Sequence, residues 1–219
     1  MAEEEMTTEE PIINLEPETE EREPEVGGQI NAQGKQIINV AEPMKDDQAA
    51  TKKYVDDNVS WEKIEEKTLT ANTTTITFDN IPTIYRFLRL RAIFGMTGVT
   101  YASMRLNNDT GANYYYTLSV MRGGAFTAAS TYGSGATNAI VGRTTTTIQS
   151  TFEIVFSQPS STERKAWTGL FHEAGSDGGF CSGAWIDTSN KITRIDLLDL
   201  SGNAYQFLSG SVFILEGYK

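Results

Sequence analysis

Few residues in this chain have side chains suited to catalysis. It contains one histidine, His172, and one cysteine, Cys181, so a Ser-His-Asp or Cys-His site would have to run through His172 alone. One cysteine with one histidine is too few for a zinc cluster, and Cys181 has no internal disulfide partner. Paired carboxylates can act as general acid and base, and Asp196 and Asp199 form the nearest such pair. Their three-residue spacing puts them on opposite faces of an extended strand. His172-Glu173 has no further partner in the sequence. The reading is therefore not an enzyme, with no catalytic residue, no metal and no cofactor.

Binding chemistry is better represented. Asn107-Asn108-Asp109-Thr110-Gly111-Ala112-Asn113 is the densest cluster of oxygen donors. Asp and Asn oxygens suit a hard cation, but one carboxylate is few for a tight site, and Asn, Asp and Gly also supply the left-handed conformations of a hairpin turn. The turn is the expectation. Tyr114, Tyr115 and Tyr116, with Tyr101 and Tyr132 nearby in sequence, are candidates for stacking against a receptor such as a glycan. Alternation along a strand allows at most two of the triplet to share a surface, and core packing accounts for them equally well. Gly175-Ser176-Asp177-Gly178-Gly179-Phe180, and Gly123-Gly124 with Ser130 to Gly135, read as the longest loops. Ser176 and Asp177 join the tyrosines as possible receptor-facing residues, since specificity commonly sits on loops over a rigid scaffold.

The charge is distributed unevenly. Of 219 residues, 29 are acidic and 18 basic, for a formal net charge of −11. Residues 1–28 hold eleven glutamates and one arginine, a net −10, which leaves 18 acidic against 17 basic groups in residues 29–219. A near-neutral body lacks the basic patch that nucleic acid requires, and a polyanionic arm is repelled by DNA and anionic lipid alike. With no long apolar run and a Glu-rich start, neither a membrane span nor a signal peptide is expected.

Three regions follow from composition and periodicity. Residues 1–28 carry three prolines and no aromatic residue, a composition that cannot offset the entropy of ordering. Within them Pro11, Ile12, Ile13, Asn14 and Leu15 form an apolar patch suited to docking on a partner as an added strand. Residues 29–60 read as two short β segments around Gln33-Gly34, then a helix capped by Asp46 or Asp47. Ile37 and Val40 on the β unit, and Ala50, Tyr54, Val55 and Val59 on the helix, are the expected contacts of an oligomerisation stem. A helix of about thirteen residues is marginal alone in water, and three copies around an axis would bury its narrow stripe. Residues 61–219 read as an all-β head, an antiparallel sandwich or jelly roll. Strands are expected near 61–70, 74–79, 85–94, 100–107, 114–122, 138–143, 148–157, 164–174, 180–187, 192–200 and 210–217. Leu88, Leu90, Ala92 and Phe94 face inward with Arg89 and Arg91 outward, and Phe152, Ile154 and Phe156 inward with Thr151 and Glu153 opposite, a pattern with one wet face. Val212-Phe213-Ile214-Leu215 is apolar on both faces, which suits a central strand or one that also meets a neighbouring subunit.

Residues 30–57, INAQGKQIINVAEPMKDDQAATKKYVDD, resemble the N-terminal or stem segment of tailed-bacteriophage fibre proteins, in which a "GxKIxNVxxP" β unit precedes an "AATKxYVD" helix. The matching stretches are Gly34 to Pro43 and Ala49 to Asp56, in the family's order and spacing. Asp46-Asp47-Gln48 departs from the more usual Thr-Asp or Asn but keeps a helix cap. The body is similar, more loosely, to β-sandwich tips of phage fibre and virion-surface proteins at Trp61 to Ile64, Thr73 to Pro82 and Leu106 to Tyr114. The resemblance implies a homotrimer on the virion surface, assembled in the host cytoplasm. It would be anchored to a capsid or tail protein by residues 1–28 and display its head toward a host glycan or protein. A capsid head fibre or decoration protein without a specific receptor is the alternative. From another class, a glycan-active hydrolase would need inward carboxylates in a groove, and a carbohydrate-binding module would need an exposed aromatic strip.

Overall fold

The computed structural model describes residues 60–122, 125–144, 146–173, 178–201 and 204–219 and the single positions 43, 51 and 55, with side chains of 122–132 left out. Those residues are all-β. In chain order the strands are β1 (Glu62–Thr68), β2 (Thr75–Phe78), β3 (Phe87–Phe94), β4 (Thr100–Leu106), β5 (Tyr114–Arg122), β6 (Ala125–Ala136), β7 (Ala139–Thr144), β8 (Ser150–Ser157), β9 (Lys165–His172), β10 (Gly178–Trp185), β11 (Ile195–Asp199) and β12 (Val212–Tyr218). They form an eight-stranded sheet ordered β1-β12-β3-β8-β9-β10-β5-β6 and a four-stranded sheet ordered β2-β11-β4-β7. Neighbouring strands are antiparallel throughout.

The expected alternation produces the core. Leu88, Leu90, Ala92 and Phe94 on β3 and Phe152, Ile154 and Phe156 on β8 are buried. Register turns these into cross-strand rows such as Phe213, Ala92, Phe152 and Phe171. Ile76, Phe78, Met104, Leu106, Ile195 and Leu197 of the four-stranded sheet join the same buried cluster. The Phe94 ring packs 5.4 Å from Phe152, 5.9 Å from Phe207 and 6.1 Å from Phe213, in the tilted and edge-on geometries that aromatic rings prefer. Gly169 permits a close approach between strands in the large sheet. A Cβ there would lie 2.5 Å from the Glu153 carbonyl oxygen and 3.1 Å from Cys181 Sγ.

Eleven expected extended stretches are strands, with ends shifted by at most three residues. The twelfth strand corrects the sequence reading. Ser130 to Gly135 is not a loop but belongs to β6, which pairs with β5 along its length, and Gly178 to Phe180, also expected in a loop, open β10 between β9 and β5. The β6 sequence, AFTAASTYGSGA, has small residues where a period-2 apolar pattern would be, so the cue to its strand character is its partner, not its own residues. β12 is an interior strand, between β1 and β3. Of residues 29–60, where a stem is expected, only fragments are described: Val55 is helical and 44% exposed, and its N–H donates to the Thr51 carbonyl at 3.0 Å.

Candidate functional site

The Asn107–Asn113 segment is a locked turn. Asn107 and Asn108 adopt positive φ, 52° and 55°, the left-handed region that Asn tolerates better than most residues. Asp109, the one carboxylate of the segment, is already saturated. Its oxygens accept from Gly111 N at 2.7 Å, Asn113 Nδ2 at 2.8 Å and Trp185 Nε1 at 2.6 Å. Desolvation raises the Asp109 pKa, but these three donors outweigh it and hold the group below its ordinary value. The Asn107 amide oxygen is likewise occupied, accepting from Thr193 N and Arg194 N at 2.9 and 3.0 Å. Among the described residues no group of three His, Cys, Asp or Glu could hold a metal ion.

The tyrosine triplet divides between faces, as strand geometry requires. Tyr114 is fully buried, so its assignment as receptor-facing is corrected: its hydroxyl accepts from Leu106 N at 2.8 Å, and burial raises its pKa. Tyr116 is half-buried against the core, where desolvation also raises its pKa. Tyr115 is 42% exposed. It borders a shallow depression of ≈ 400 Å³ lined by Thr117, Ser134, Ser182 and Gly183. Beneath the depression Gly183 makes room for the buried Trp167 ring, since a Cβ there would lie 2.3 Å from both Trp167 Cζ2 and the Tyr115 carbonyl oxygen. An aromatic ring beside three hydroxyl side chains is a combination that stacks on a sugar face and bonds its hydroxyls. Tyr132 lies opposite Thr117 in register, and its side chain is outside the described residues.

The groups considered for catalysis have structural partners. Asp196 accepts from Arg194 Nη2 at 2.8 Å and Thr77 Oγ1 at 2.6 Å. Asp199 accepts from Thr100 Oγ1 at 3.2 Å and from the backbone N–H groups of Ser201 and Ala204. Arg143 Nη1 lies 3.1 Å from the buried Glu173. Cys181 is buried, its thiol pKa pushed up to about 12 by desolvation, so at neutral pH it holds its proton and is a poor nucleophile. His172 ends β9 on the outward face, opposite Thr151 and Gly178.

Sequence reading missed a second surface. The outward face of the eight-stranded sheet is not uniformly wet: Ile93 (54% exposed), Leu170 (68%), Phe180 and Met121 all project from it. Register aligns them in two adjacent rows, Val212, Ile93, Thr151, His172, Gly178 and Met121, then Ile214, Arg91, Glu153, Leu170 and Phe180. Two shallow grooves meet at Leu170. Beside them Glu216 accepts from Arg89 Nε at 2.7 Å and from Arg91 Nη2 at 2.9 Å, and the Arg89 guanidinium lies 4.4 Å from the Trp61 ring centroid. The signal is faint in the sequence because each strand contributes only one or two of these residues, and pairing order alone brings them together.

The proposed anchor Pro11, Ile12, Ile13, Asn14 and Leu15, the stem residues Ile37, Val40, Ala50, Tyr54 and Val59, and the loop residues Ser176 and Asp177 lie outside the described residues. Among the described residues no helix is long and apolar enough to cross a membrane. No protein-family model matches the chain, and no curated protein matches it.

Proposed function

We propose that this chain is a non-enzymatic structural protein of a tailed bacteriophage particle, a short homotrimeric fibre with a β-sandwich head for host-surface attachment. The observation that carries the proposal is the order of two motifs, Gly34 to Pro43 and Ala49 to Asp56, immediately before an all-β body. Residues 1–28 anchor the fibre to a capsid or tail protein, and residues 29–60 gather three chains. The acidic arm with Ile12, Ile13 and Leu15 fits a partner offering basic residues around an apolar groove. The depression beside Tyr115 is the receptor-facing part of the head. Three heads acting together make a weak individual contact sufficient.

The burial of Tyr114 favours a second reading, in which the head decorates the capsid and binds no specific receptor, because it leaves a smaller aromatic surface for recognition. Electron microscopy of intact particles tests both. Three-fold spikes at the tail are expected for an attachment fibre, and spikes on the capsid for the second reading. Particles in which the protein is absent would overturn the proposal. Removal of residues 1–28 is expected to leave a folded trimer that no longer incorporates, and normal incorporation would show that the arm is not the anchor.

A further inference from the structure

We infer that the outward face of the eight-stranded sheet carries an extended trough, from Tyr115 on β5 to Phe87 on β3, that takes a linear, uncharged oligosaccharide. The inference rests on the receptor-facing reading of Tyr115 above and gives that site a length and a ligand class.

Register builds the trough. One continuous row runs Tyr115, Ala184, Ala166, Ser157, Phe87 and Tyr218 across neighbouring strands. The chain neighbours Tyr114, Trp185, Trp167, Phe156 and Leu88 are buried, which puts the row itself on the outward face. Tyr115 and Phe87 are 42% and 39% exposed, and only two alanines and a serine lie between them. Both rings therefore stand above a low floor. The depression beside Tyr115 is the β5 end of this floor. At the other end the Tyr218 ring packs 6.1 Å from Phe87 and 5.7 Å from Trp61. Four strand spacings separate Tyr115 from Phe87, about 19 Å. That is longer than one sugar and within the reach of a short linear oligosaccharide.

The floor selects the ligand. The adjacent outward row runs Thr117, Ser182, Thr168 and Val155, so hydroxyls line the trough along one side. From Tyr115 to Phe87 neither row holds a charged side chain, and β5, β6 and β10 together contain one, Arg122. Arg86 and Arg164 precede their strands, and Arg89 is held by Glu216 at 2.7 Å and by the Trp61 ring. An acidic sugar would find no cation along either row to pair with. An apolar partner would cover the hydroxyls of Thr117, Ser182 and Thr168 without bonding them, at a desolvation cost. An uncharged glycan meets both conditions: its sugar faces stack on Tyr115 and Phe87, and its hydroxyls exchange hydrogen bonds with the floor.

The test is binding of the full chain to immobilised gluco-, manno- and galacto-oligosaccharides, from monosaccharide to hexasaccharide, beside oligogalacturonic and oligosialic acids. Wild type is expected to hold at least one neutral tetrasaccharide or longer chain tenfold or more tightly than the matching monosaccharide, and to hold the acidic chains no better than background. Tyr115→Ala and Phe87→Ala are each expected to weaken that binding at least fivefold. Ala166→Arg covers the case in which Phe87→Ala does not fold, since residue 166 is exposed and a long side chain there obstructs the floor without entering the core. Binding that folded Phe87→Ala, or Ala166→Arg, leaves at wild-type strength overturns the trough and confines the site to the depression beside Tyr115. Retention of no neutral chain, or preference for an acidic one, overturns the ligand class. If particle adsorption still falls with Tyr115→Ala in that case, the attachment reading stands; if adsorption is unchanged, that reading fails with it.

Discussion

The indole Nε1 of Trp185 donates a 2.6 Å hydrogen bond to Asp109 Oδ2, 76 residues earlier in the chain. The bond ties the end of β10 to the turn between β4 and β5, and Tyr114 beside it bonds back to Leu106. What resembled a cation site is a clasp at one end of the head. Asp109→Ala would leave a buried indole N–H and two further donors without their acceptor. The expected cost is about 1–3 kcal/mol, read from urea unfolding; an unchanged midpoint would remove the clasp.

Trp167 gives the contrasting case. It is as buried as Trp185, but its Nε1 has no hydrogen-bond partner. Trp167→Phe therefore loses packing alone, whereas Trp185→Phe loses packing and a bond to a carboxylate. Trp185→Phe is expected to be the more destabilising by roughly 1 kcal/mol or more, and the reverse order would count against the hydrogen-bond assignment.

Acid should loosen the head through two carboxylates. Desolvation opposes ionisation of both Asp109 and Glu216, but hydrogen bonds outweigh it and hold each below its ordinary value of 3.8 or 4.5. A carboxylate with a depressed folded pKa gives stability that is complete above its unfolded value and lost as pH falls through the folded one. Thermal midpoints are thus expected to be level at neutral pH and to fall below about pH 4.5. Asp109→Asn should shallow that fall, and an identical acid profile would show that Asp109 contributes none of it.

Tyr115→Ala tests the depression proposed to face a receptor without disturbing the core, since the ring is 42% exposed. Stability should change by at most about 0.5 kcal/mol, while adsorption of particles to host cells should drop severalfold. Unchanged adsorption would favour the decoration reading.

Gly183→Ala should act on the same depression from beneath. A Cβ placed 2.3 Å from the Tyr115 carbonyl oxygen forces the strands apart, at an expected cost of about 1–3 kcal/mol. A thermal midpoint equal to wild type would mean that β5 and β10 have slack at this point.

Legibility in the sequence followed local pattern. β3 and β8 announce themselves because Leu88, Leu90 and Phe94, or Phe152, Ile154 and Phe156, repeat at period two beside charged residues. β6 does not, because Ala125 to Ala136 offers small side chains and takes its place from β5. The fate of Tyr114 could be narrowed but not fixed: alternation separates it from Tyr115, and only the turn at Asn107 and Asn108, which brings Leu106 back to its hydroxyl, decides which face is inside. The Leu170 surface was least legible, since Ile93, Leu170 and Phe180 are far apart in the chain and adjacent only through strand order.

That strand order has a consequence for synthesis. β12, last of the twelve strands to leave the ribosome, lies between β1, the first, and β3. β1 therefore waits without its pairing partner, and β3 without one of its two, until residue 218 has emerged. Residues 29–60 are translated long before. If that segment gathers chains as proposed, neighbouring nascent chains on one messenger have time to meet through it while their heads are still open, and to close them together.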